Sequence, residues 1–493
     1  MITRLHTPQA AAAWLQRGVS GALCTDSRKV SMGDGFIAWP GAATDGRAFV
    51  TPALEAGAAA CLVEEAGVDA FDFVDLRIAC YSGLKSAAGA IAAAHFHQPS
   101  GKLQVFAVTG TNGKTSTSWW LAQALSRSGL RCGLVGTLGI GEPDAMVPNG
   151  LTTPDPVLLQ EQLRSFVDQG FRACALEASS IGIAEHRLDA TQVAVAIFTN
   201  LTHDHLDYHG SMQAYWEAKE SLFAFTGLRA AVVNIDDPKG ADLALSLQSG
   251  HLDLWTVSIH QSARLTASNI VQGNNGLSFD VVYGAESYQV AVETAGQYNV
   301  SNLLCVVAAM CAAGVRLKDA AFACNGLRSV PGRLEMLSTA NMPLVAVDYA
   351  HTPDALEKVL VSLRPVAASR GGNLWCVFGC GGNRDDSKRP VMGAVAQRHA
   401  DHIVVTSDNP RDEKPDAIIE QIVSGLDKSR EFHTEADRGA AIAWTLAAAE
   451  PADVVLLAGK GHESYQEILG VKYLFSDLTL ARHALRQRTG ATS

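Results

Sequence analysis

No C-x-x-C pair occurs among the ten cysteines of this chain. Several of them sit in apolar runs (Cys174, Cys305, Cys311, Cys376). That scatter fits buried free thiols in a reducing compartment better than a disulfide framework. No uninterrupted apolar run is long enough to cross a bilayer, and the opening M-I-T-R-L-H-T-P has no apolar core of signal-peptide type. An excess of basic residues is also missing. Lys and Arg number 39 against 50 Asp and Glu, for a formal net charge of −11, so no overall field draws in a nucleic acid. Internal repeats and low-complexity segments are absent. What remains is the profile of a cytoplasmic enzyme, 47% hydrophobic and 18% charged, with 44 glycines for tight turns. At 493 residues it is too long for one ordinary core, so two to four domains are expected.

The most informative stretch is Val105 to Ser116, V-F-A-V-T-G-T-N-G-K-T-S. An apolar run of strand type breaks into a Gly-rich turn ending in Gly113-Lys114-Thr115, and a helical pattern follows from Trp119 to Ser126. Strand, loop and helix in that order suit a triphosphate: backbone N–H groups at the helix start face phosphate oxygens, Lys114 reaches the terminal phosphates and the Thr115 hydroxyl holds Mg²⁺. The usual first glycine is replaced by Val108, and the loop opens at Gly110 instead. An ordinary glycine turn is the competing reading.

Around this loop the chain reads as α/β throughout. Residues 1–100 alternate apolar runs (Gly35 to Trp39, Ala58 to Val63) with Ala-rich helical ones (Pro52 to Ala56, Gly83 to Ala94), and His97-Gln98-Pro99-Ser100 is the expected boundary. From Lys102 to about Gly326, short apolar runs (Phe171 to Glu177, Val193 to Phe198, Ala230 to Ile235) alternate with helices, which predicts a doubly wound, mostly parallel sheet. Leu252 to Val292 reads as a small antiparallel insertion. From Pro331 onward, Leu344 to Val347, Leu374 to Phe378, Ile403 to Thr406 and Val454 to Leu457 predict a second parallel sheet.

Ligands of such sheets sit at the carboxyl ends of the strands, so the polar residues there are the candidates. Glu177 ends one run, and Thr199-Asn200-Leu201 ends another, leading into Thr202-His203-Asp204-His205-Leu206-Asp207-Tyr208-His209. A carboxylate beside a triphosphate is a natural Mg²⁺ ligand. The histidines suit a metal site, zinc included, or a polar loop of hydrogen-bonded side chains. Lys219, flanked by acids in a helical segment, is either a surface lysine or, beside a metal, a neutral amine able to take up CO₂ as a carbamate. Arg333 in Val330-Pro331-Gly332-Arg333 is either a linker arginine or a cation that swings onto transferred phosphate. Three polar turns, Gly379 to Arg384, Ser407 to Arg411 and Gly459 to Glu463, follow strands of the last domain. Their two arginines and two acids suit a zwitterion.

These segments together resemble the Mur ligase family of ATP-dependent amide-bond-forming enzymes. The resemblance runs nearly end to end, through T-G-T-N-G-K-T-S, T-T-P-D (Thr152 to Asp155), L-E-A-S-S (Leu176 to Ser180), T-N-L-T-H-D-H-L-D-Y-H-G, Y-W-E-A-K-E-S-L-F, V-P-G-R-L-E, D-Y-A-H-T-P-D-A-L, F-G-C-G-G-N-R-D and A-G-K-G-H-E-S-Y-Q. It implies three domains: an α/β N-terminal domain (1–100) for a UDP-sugar, a central P-loop-type domain (101–330) for ATP, and a Rossmann-like C-terminal domain (331–493) for an amino acid. It also implies a monomer whose partners are small molecules, with no nucleic acid and no membrane span.

By the same resemblance, Gly110, Thr111, Asn112, Gly113, Lys114, Thr115 and Ser116 hold ATP. Asn299, Asn302, Arg333 and Asp348 contact the nucleotide or close the cleft. Thr115, Glu177, His205 and a carbamylated Lys219 serve the Mg²⁺ sites, and Lys114, Glu177, His205 and Lys219 form the catalytic set. The UDP-MurNAc-L-Ala-D-Glu substrate is expected at Thr25, Ser27, Ala42, Ala43, Thr44, Thr152, Thr153, Ser179, Glu185 and Arg187. The D-N-P-R turn goes in this family with meso-2,6-diaminopimelate, expected at Arg384, Asp408, Asn409, Pro410, Arg411, Gly459 and Glu463. Diaminopimelate carries a carboxylate that lysine lacks, and a guanidinium grips it bidentately. Ile181, Glu185 and Asn383 depart from residues frequent in the family (His, Gln and Asp). The implied reaction activates the γ-carboxylate of D-glutamate as an acyl phosphate, which the amine of diaminopimelate then attacks. A relative with another acceptor, such as a lysine-adding enzyme or a folylpolyglutamate synthase, and a catalytically silent nucleotide-binding module are the alternatives.

Overall fold

The structure is a computed structural model that describes residues 2–41, 44–273 and 276–490; Ala42 and Ala43 of the expected sugar site lie outside them. The chain divides into two compact units, Met1–Val257 with Cys305–Ala320, and Ser258–Leu304 with Ala321–Ser493. The first unit holds two sheets. Five parallel strands lie in the order Thr3–Leu5, Ile78–Tyr81, Ala60–Glu64, Gly35–Ala38, Leu23–Cys24. Helices Pro8–Gly18 and Leu84–His95 cover one face through Leu15, Leu84 and Ile91, and Val50–Glu55 covers the other through Val50 and Ala53.

The second sheet positions the phosphate loop. Its parallel strands run Asp253–Ser258, Ala230–Asn234, Val195–Phe198, Gln104–Thr109, Ala173–Glu177 and Cys132–Gly136, and an antiparallel hairpin (Gly139–Glu142, Ala145–Val147) extends the last. The loop strand Gln104–Thr109 therefore lies between two strands that come much later in the chain, which is a switch point of the doubly wound kind. Val105, Phe106, Ala107 and Val108 are all fully buried. Coverage on both faces is why these runs are continuously apolar, and each large side chain contributes about 2 kcal/mol by leaving water. Val108, in the place of the usual loop glycine, belongs to the strand: its carbonyl accepts from Ala178 N at 2.9 Å.

In the second unit, Leu265–Gly273, Gly276–Tyr283 and Glu286–Val292 form an antiparallel meander. The insertion expected from Leu252 is thus shorter than the sequence pattern suggested. Asp253–Ser258 pairs parallel with Ala230–Asn234 and belongs to the parallel strands of the central sheet. A short parallel strand next to a meander has the same alternating look as a hairpin strand, and only the partner distinguishes them.

The remaining sheet runs Glu335–Leu337, Leu344–Asp348, Val454–Ala458, Leu374–Phe378, His402–Thr406, His433–Glu435, parallel except for the first strand. Side-chain caps and first-turn prolines fix where helices begin, as at Thr352-Pro353 of Pro353–Arg370, where Thr352 accepts from Ala355 N at 3.3 Å.

Under two of these strand ends lies an ion pair with no solvent contact. Arg438 donates Nε and Nη2 to Asp477 at 2.8 and 2.7 Å, Nη1 to the Ser407 carbonyl at 3.1 Å and Nη2 to the Ala458 carbonyl at 2.9 Å. Replacing Asp477 by Ala leaves the buried guanidinium uncompensated and is expected to cost about 3–5 kcal/mol in urea denaturation. The double variant Arg438→Met/Asp477→Leu is expected to cost less than Asp477→Ala alone. An equal or larger loss in the double variant would contradict the uncompensated-charge argument.

Candidate active site

Gly110 leaves the loop strand at φ 146°, and a Cβ there would lie 1.9 Å from the Thr199 hydroxyl. Gly113 starts the helix Lys114–Arg127 at φ 85°. Both are backbone states that side chains rarely adopt, so the turn is more than an ordinary glycine bend. The T-N-L-T segment braces the loop. Thr199 Oγ1 and Asn200 Nδ2 donate to the Asn112 carbonyl at 2.6 and 3.1 Å, and Asn112 N donates to Asn200 Oδ1 at 2.9 Å. Thr111 Oγ1 lies 3.0 Å from the Tyr215 hydroxyl. Ser116 is buried one turn into the helix.

Two lysines meet at this loop. Lys114 Nζ donates to the carbonyls of Gly110 (3.0 Å) and Thr111 (2.9 Å), and Lys219 Nζ donates to the same Gly110 carbonyl at 2.7 Å. Lys219 is 1% exposed and packs over the Tyr215 ring at 4.4 Å, so it is no surface lysine. Burial, and next the charge of Lys114, push its pKa well below the ordinary lysine value, against a weaker opposing pull from Asp204. Nearby, His205 stands at φ 53° with Nε2 3.5 Å from Asp204 Oδ2. Burial, with Lys114 and Lys219, holds its imidazole below the usual value, although Asp204 pulls the other way.

Across from the lysines, buried Glu177 ends its strand. It accepts from Thr115 Oγ1 at 2.9 Å, Thr137 N at 2.8 Å and Thr137 Oγ1 at 3.1 Å. Thr137 also touches Thr152 Oγ1 at 3.0 Å. Sequence reasoning missed Thr137, which lies in a short turn with no motif around it. A hydroxyl and a carboxylate at a helix start are hard oxygen donors and fit Mg²⁺ bridged to phosphate. As an ammonium, Lys219 fits no cation site; only its neutral amine, converted to a carbamate, would. Among the described residues no three His, Cys, Asp or Glu side chains converge as a metal cage, so a cation here takes further ligands from phosphate and water.

The expected dipeptide residues continue outward. Thr153 Oγ1 donates to the Glu177 carbonyl at 2.7 Å and lies 2.9 Å from Ser179 Oγ, while Arg187 Nη1 donates to the Thr153 carbonyl at 3.0 Å. Glu185 is engaged by Lys85 at 2.6 Å and by the Tyr208 hydroxyl, and these hydrogen bonds, Lys85 first, hold its carboxyl low. At the five-stranded sheet, Thr25 and Ser27 follow the strand Leu23–Cys24, and the Thr44 carbonyl accepts from Gly41 N at 2.9 Å beyond Gly35–Ala38. Both segments sit at carboxyl strand ends.

The other candidates belong to the second unit. Asn299 Nδ2 donates to Thr294 Oγ1 (3.0 Å) and the Ala295 carbonyl (2.8 Å), and Asn302 Nδ2 donates to Asn299 Oδ1 (3.1 Å), a chain that fixes the start of helix Gln297–Ala312. Asp348 accepts from Leu334 N and Ala350 N at 2.7 and 2.8 Å, and burial raises its carboxyl above the usual value despite Arg333. Arg333 lies over the Tyr349 ring at 4.6 Å.

Three strand ends bring together the residues expected to take the zwitterion. Asn409 Nδ2 donates to Glu463 Oε2 at 2.9 Å, and a Cβ on Gly459 would lie 2.5 Å from Asp408 Oδ2. Arg411 Nη1 donates to the Gly382 carbonyl at 2.8 Å, and Pro410, buried, precedes it. Arg384 is exposed beside them. Asn383 N and Nδ2 donate to Glu413 and Asp412 at 2.5 and 3.1 Å, so this departure ties one loop to the next. Lys460, fully buried, donates to Asn409 Oδ1 (2.9 Å) and Glu463 Oε2 (3.0 Å). It was overlooked as a candidate although it stands inside the G-K-G-H-E turn.

His462 of that turn has its Nδ1 buried without a hydrogen-bond partner. Burial, then Arg333, push its pKa from 6.5 down to about 4. Between about pH 4 and 6.5 the unfolded chain therefore binds more protons than the folded one. Stability rises with pH across that window and is lost as pH falls through it, by about 3 kcal/mol at most from this group. The difference in stability between His462→Phe and the parent chain is expected to change over this pH range in urea titrations; a constant difference would contradict the assignment.

Models of three domains match the chain: "Mur ligase family, catalytic domain" over residues 21–96, "Mur ligase middle domain" over 108–310 and "Mur ligase, glutamate ligase domain" over 332–461. A UDP-N-acetylmuramoyl-L-alanyl-D-glutamate–2,6-diaminopimelate ligase of Acidovorax sp. (strain JS42) is 58% identical, covering 99% of this chain and 98% of its own. One of the same description from Janthinobacterium sp. (strain Marseille) is 46% identical, covering 96% of each. A solved structure of a ligase of that description is similar at TM-score 0.67 and 35% identity, over 95% of both chains.

Proposed function

We propose a defined reaction for this chain, which belongs to the Mur ligase family: it joins meso-2,6-diaminopimelate to the γ-carboxylate of D-glutamate in UDP-MurNAc-L-Ala-D-Glu. The reaction consumes ATP with Mg²⁺, releases ADP and phosphate, and forms the UDP-MurNAc-tripeptide of peptidoglycan synthesis. The observation that carries this reading is the 58% identity, over 99% of the chain, to a ligase of that description. The geometry agrees with it, since a triphosphate loop and a zwitterion site both lie at carboxyl strand ends.

Residues 1–100 take the UDP-sugar end, 101–330 the ATP and 331–493 the incoming amino acid. Gly110 to Ser116 cradle the phosphates, and Lys114 turns from the loop carbonyls toward them. Thr115, Glu177, His205 and a carbamylated Lys219 would hold Mg²⁺, which would neutralise charge on the transferred phosphoryl group. Thr137 aims Glu177 by giving it two hydrogen bonds. Thr152, Thr153, Ser179 and Arg187 orient the dipeptide so that its γ-carboxylate meets the γ-phosphate, and an acyl phosphate forms. Asn299, Asn302, Arg333 and Asp348 serve the nucleotide side. Asp408 and Glu463 hold an ammonium of diaminopimelate, and Arg384 and Arg411 its carboxylates, leaving the other amine to attack the acyl phosphate as phosphate departs. Among the described residues no helix is long and apolar enough to cross a membrane. Ten free cysteines fit work in a reducing cytoplasm, and we take the chain to act as a monomer.

Phosphate release with UDP-MurNAc-L-Ala-D-Glu and either diaminopimelate or lysine tests the reading. Strong preference for diaminopimelate is expected; equal turnover with lysine, or none with either, would sink it. Arg411→Ala is expected to raise the KM for diaminopimelate at least tenfold while leaving the KM for ATP within about twofold, as loss of a charge-assisted pair costs about 1.5–3 kcal/mol. Lys219→Ala is expected to be nearly inactive and partly rescued by short carboxylic acids; full activity without rescue would return Lys219 to a structural role.

A further inference from the structure

The turn Asp408 to Arg411 does not stand alone. A hairpin, Tyr465–Ile468 with Val471–Leu474, lies along it. Gln466 Nε2 donates to the Asp408 carbonyl at 2.7 Å, and Glu467 N to Asn409 Oδ1 at 3.0 Å. Arg411 N donates to the Glu467 carbonyl at 3.0 Å, and Leu469 N to the Arg411 carbonyl at 2.8 Å. Arg411 and Ile468 are thus paired like neighbouring strand residues. Arg411 needs this support, because its backbone stands at φ 51°, a left-handed state that a residue with a side chain adopts at a cost of about 1–2 kcal/mol.

The same hairpin reaches the guanidinium. Glu467 Oε2 lies 3.3 Å from Arg411 Nε, while Nη1 is held by the Gly382 carbonyl at 2.8 Å. Both side chains are about three-quarters buried, so solvent screens the pair only in part. A guanidinium has five N–H donors in one plane. One donates here, from Nη1 to Gly382, while Nε faces Glu467 as an ion pair without a hydrogen bond, and among the described residues Nη2 has no hydrogen-bond partner. The guanidinium is therefore held from two sides, and Nη2 keeps its N–H donors for a carboxylate.

We propose that Glu467 is a positioning residue for acceptor choice: its carboxylate, in ion-pair contact with Nε, holds the Arg411 guanidinium so that Nη2 meets the distal carboxylate of a diamino diacid. The inference rests on the ligase reading above and adds to it a residue outside the D-N-P-R turn. Without Glu467 the long arginine side chain is free to rotate about its last torsions. The guanidinium must then be ordered by the substrate, which weakens binding rather than chemistry.

The test is steady-state phosphate release by the full chain with UDP-MurNAc-L-Ala-D-Glu. Glu467→Ala is expected to raise the KM for diaminopimelate about five- to tenfold, with kcat and the KM for ATP within twofold. Selectivity over lysine, which lacks the distal carboxylate, should fall by the same factor because lysine turnover is unaffected. The isosteric Glu467→Gln, which keeps an acceptor oxygen toward Nε, should recover most of the affinity and guards against misfolding of the alanine variant. An unchanged KM for diaminopimelate in both variants overturns the proposal. So does a parallel rise in the KM values for diaminopimelate, lysine and ATP, the mark of general loosening. Failure of the parent chain to use diaminopimelate would instead overturn the ligase reading, and the two failures are told apart by that control.

Discussion

Lys114 and Lys219 donate to one carbonyl oxygen, that of Gly110, and the phosphate end of the molecule is arranged around that shared acceptor. The charge of Lys114 disfavours a second cation on buried Lys219. The positive φ of Gly110 aims the carbonyl, the Thr199–Asn200 segment holds the loop in place, and the Tyr215 ring packs over Lys219. Burial favours the neutral amine of Lys219. This is the protonation state in which a lysine can react.

The acceptor end follows a different physical plan. There the charges are already matched. Arg438 and Asp477 neutralise each other beneath the strand ends, Lys460 is matched by Glu463, and Arg389 by Glu413 at 2.8 Å. A matched site is rigid before substrate enters, which suits discrimination between two amino acids that differ by one carboxylate.

Much of this was legible in the chain because the informative signals are local. A strand running into Gly110 to Thr115, acids and amides directly after apolar runs, and Pro or Asp at helix starts each declare themselves within a few residues. The contacts that went unread join distant segments: Thr137 to Glu177, Lys85 to Glu185, Arg438 to Asp477. Thr137 and Asp477 sit in stretches with no pattern of their own, and only the folded sheet brings them to their partners. Lys460 failed for another reason. A lysine between two glycines reads as exposed, and its burial depends on three loops converging from separate strands. The misplaced start of the antiparallel insertion has the same origin, since strand partners are a property of the fold.

The hairpin bonded to Asp408, Asn409 and Arg411 has a bearing on how such a chain diverges. On the proposal above, acceptor reading belongs to two segments 58 residues apart, from Asn409 to Glu467, that are hydrogen-bonded to each other. A graft of four residues into a relative would carry the guanidinium without the ladder that holds its left-handed backbone. Exchange of specificity between family members by recombination therefore requires both segments from the same parent, and crossovers between residues 411 and 465 should yield folded chains with blunted acceptor choice.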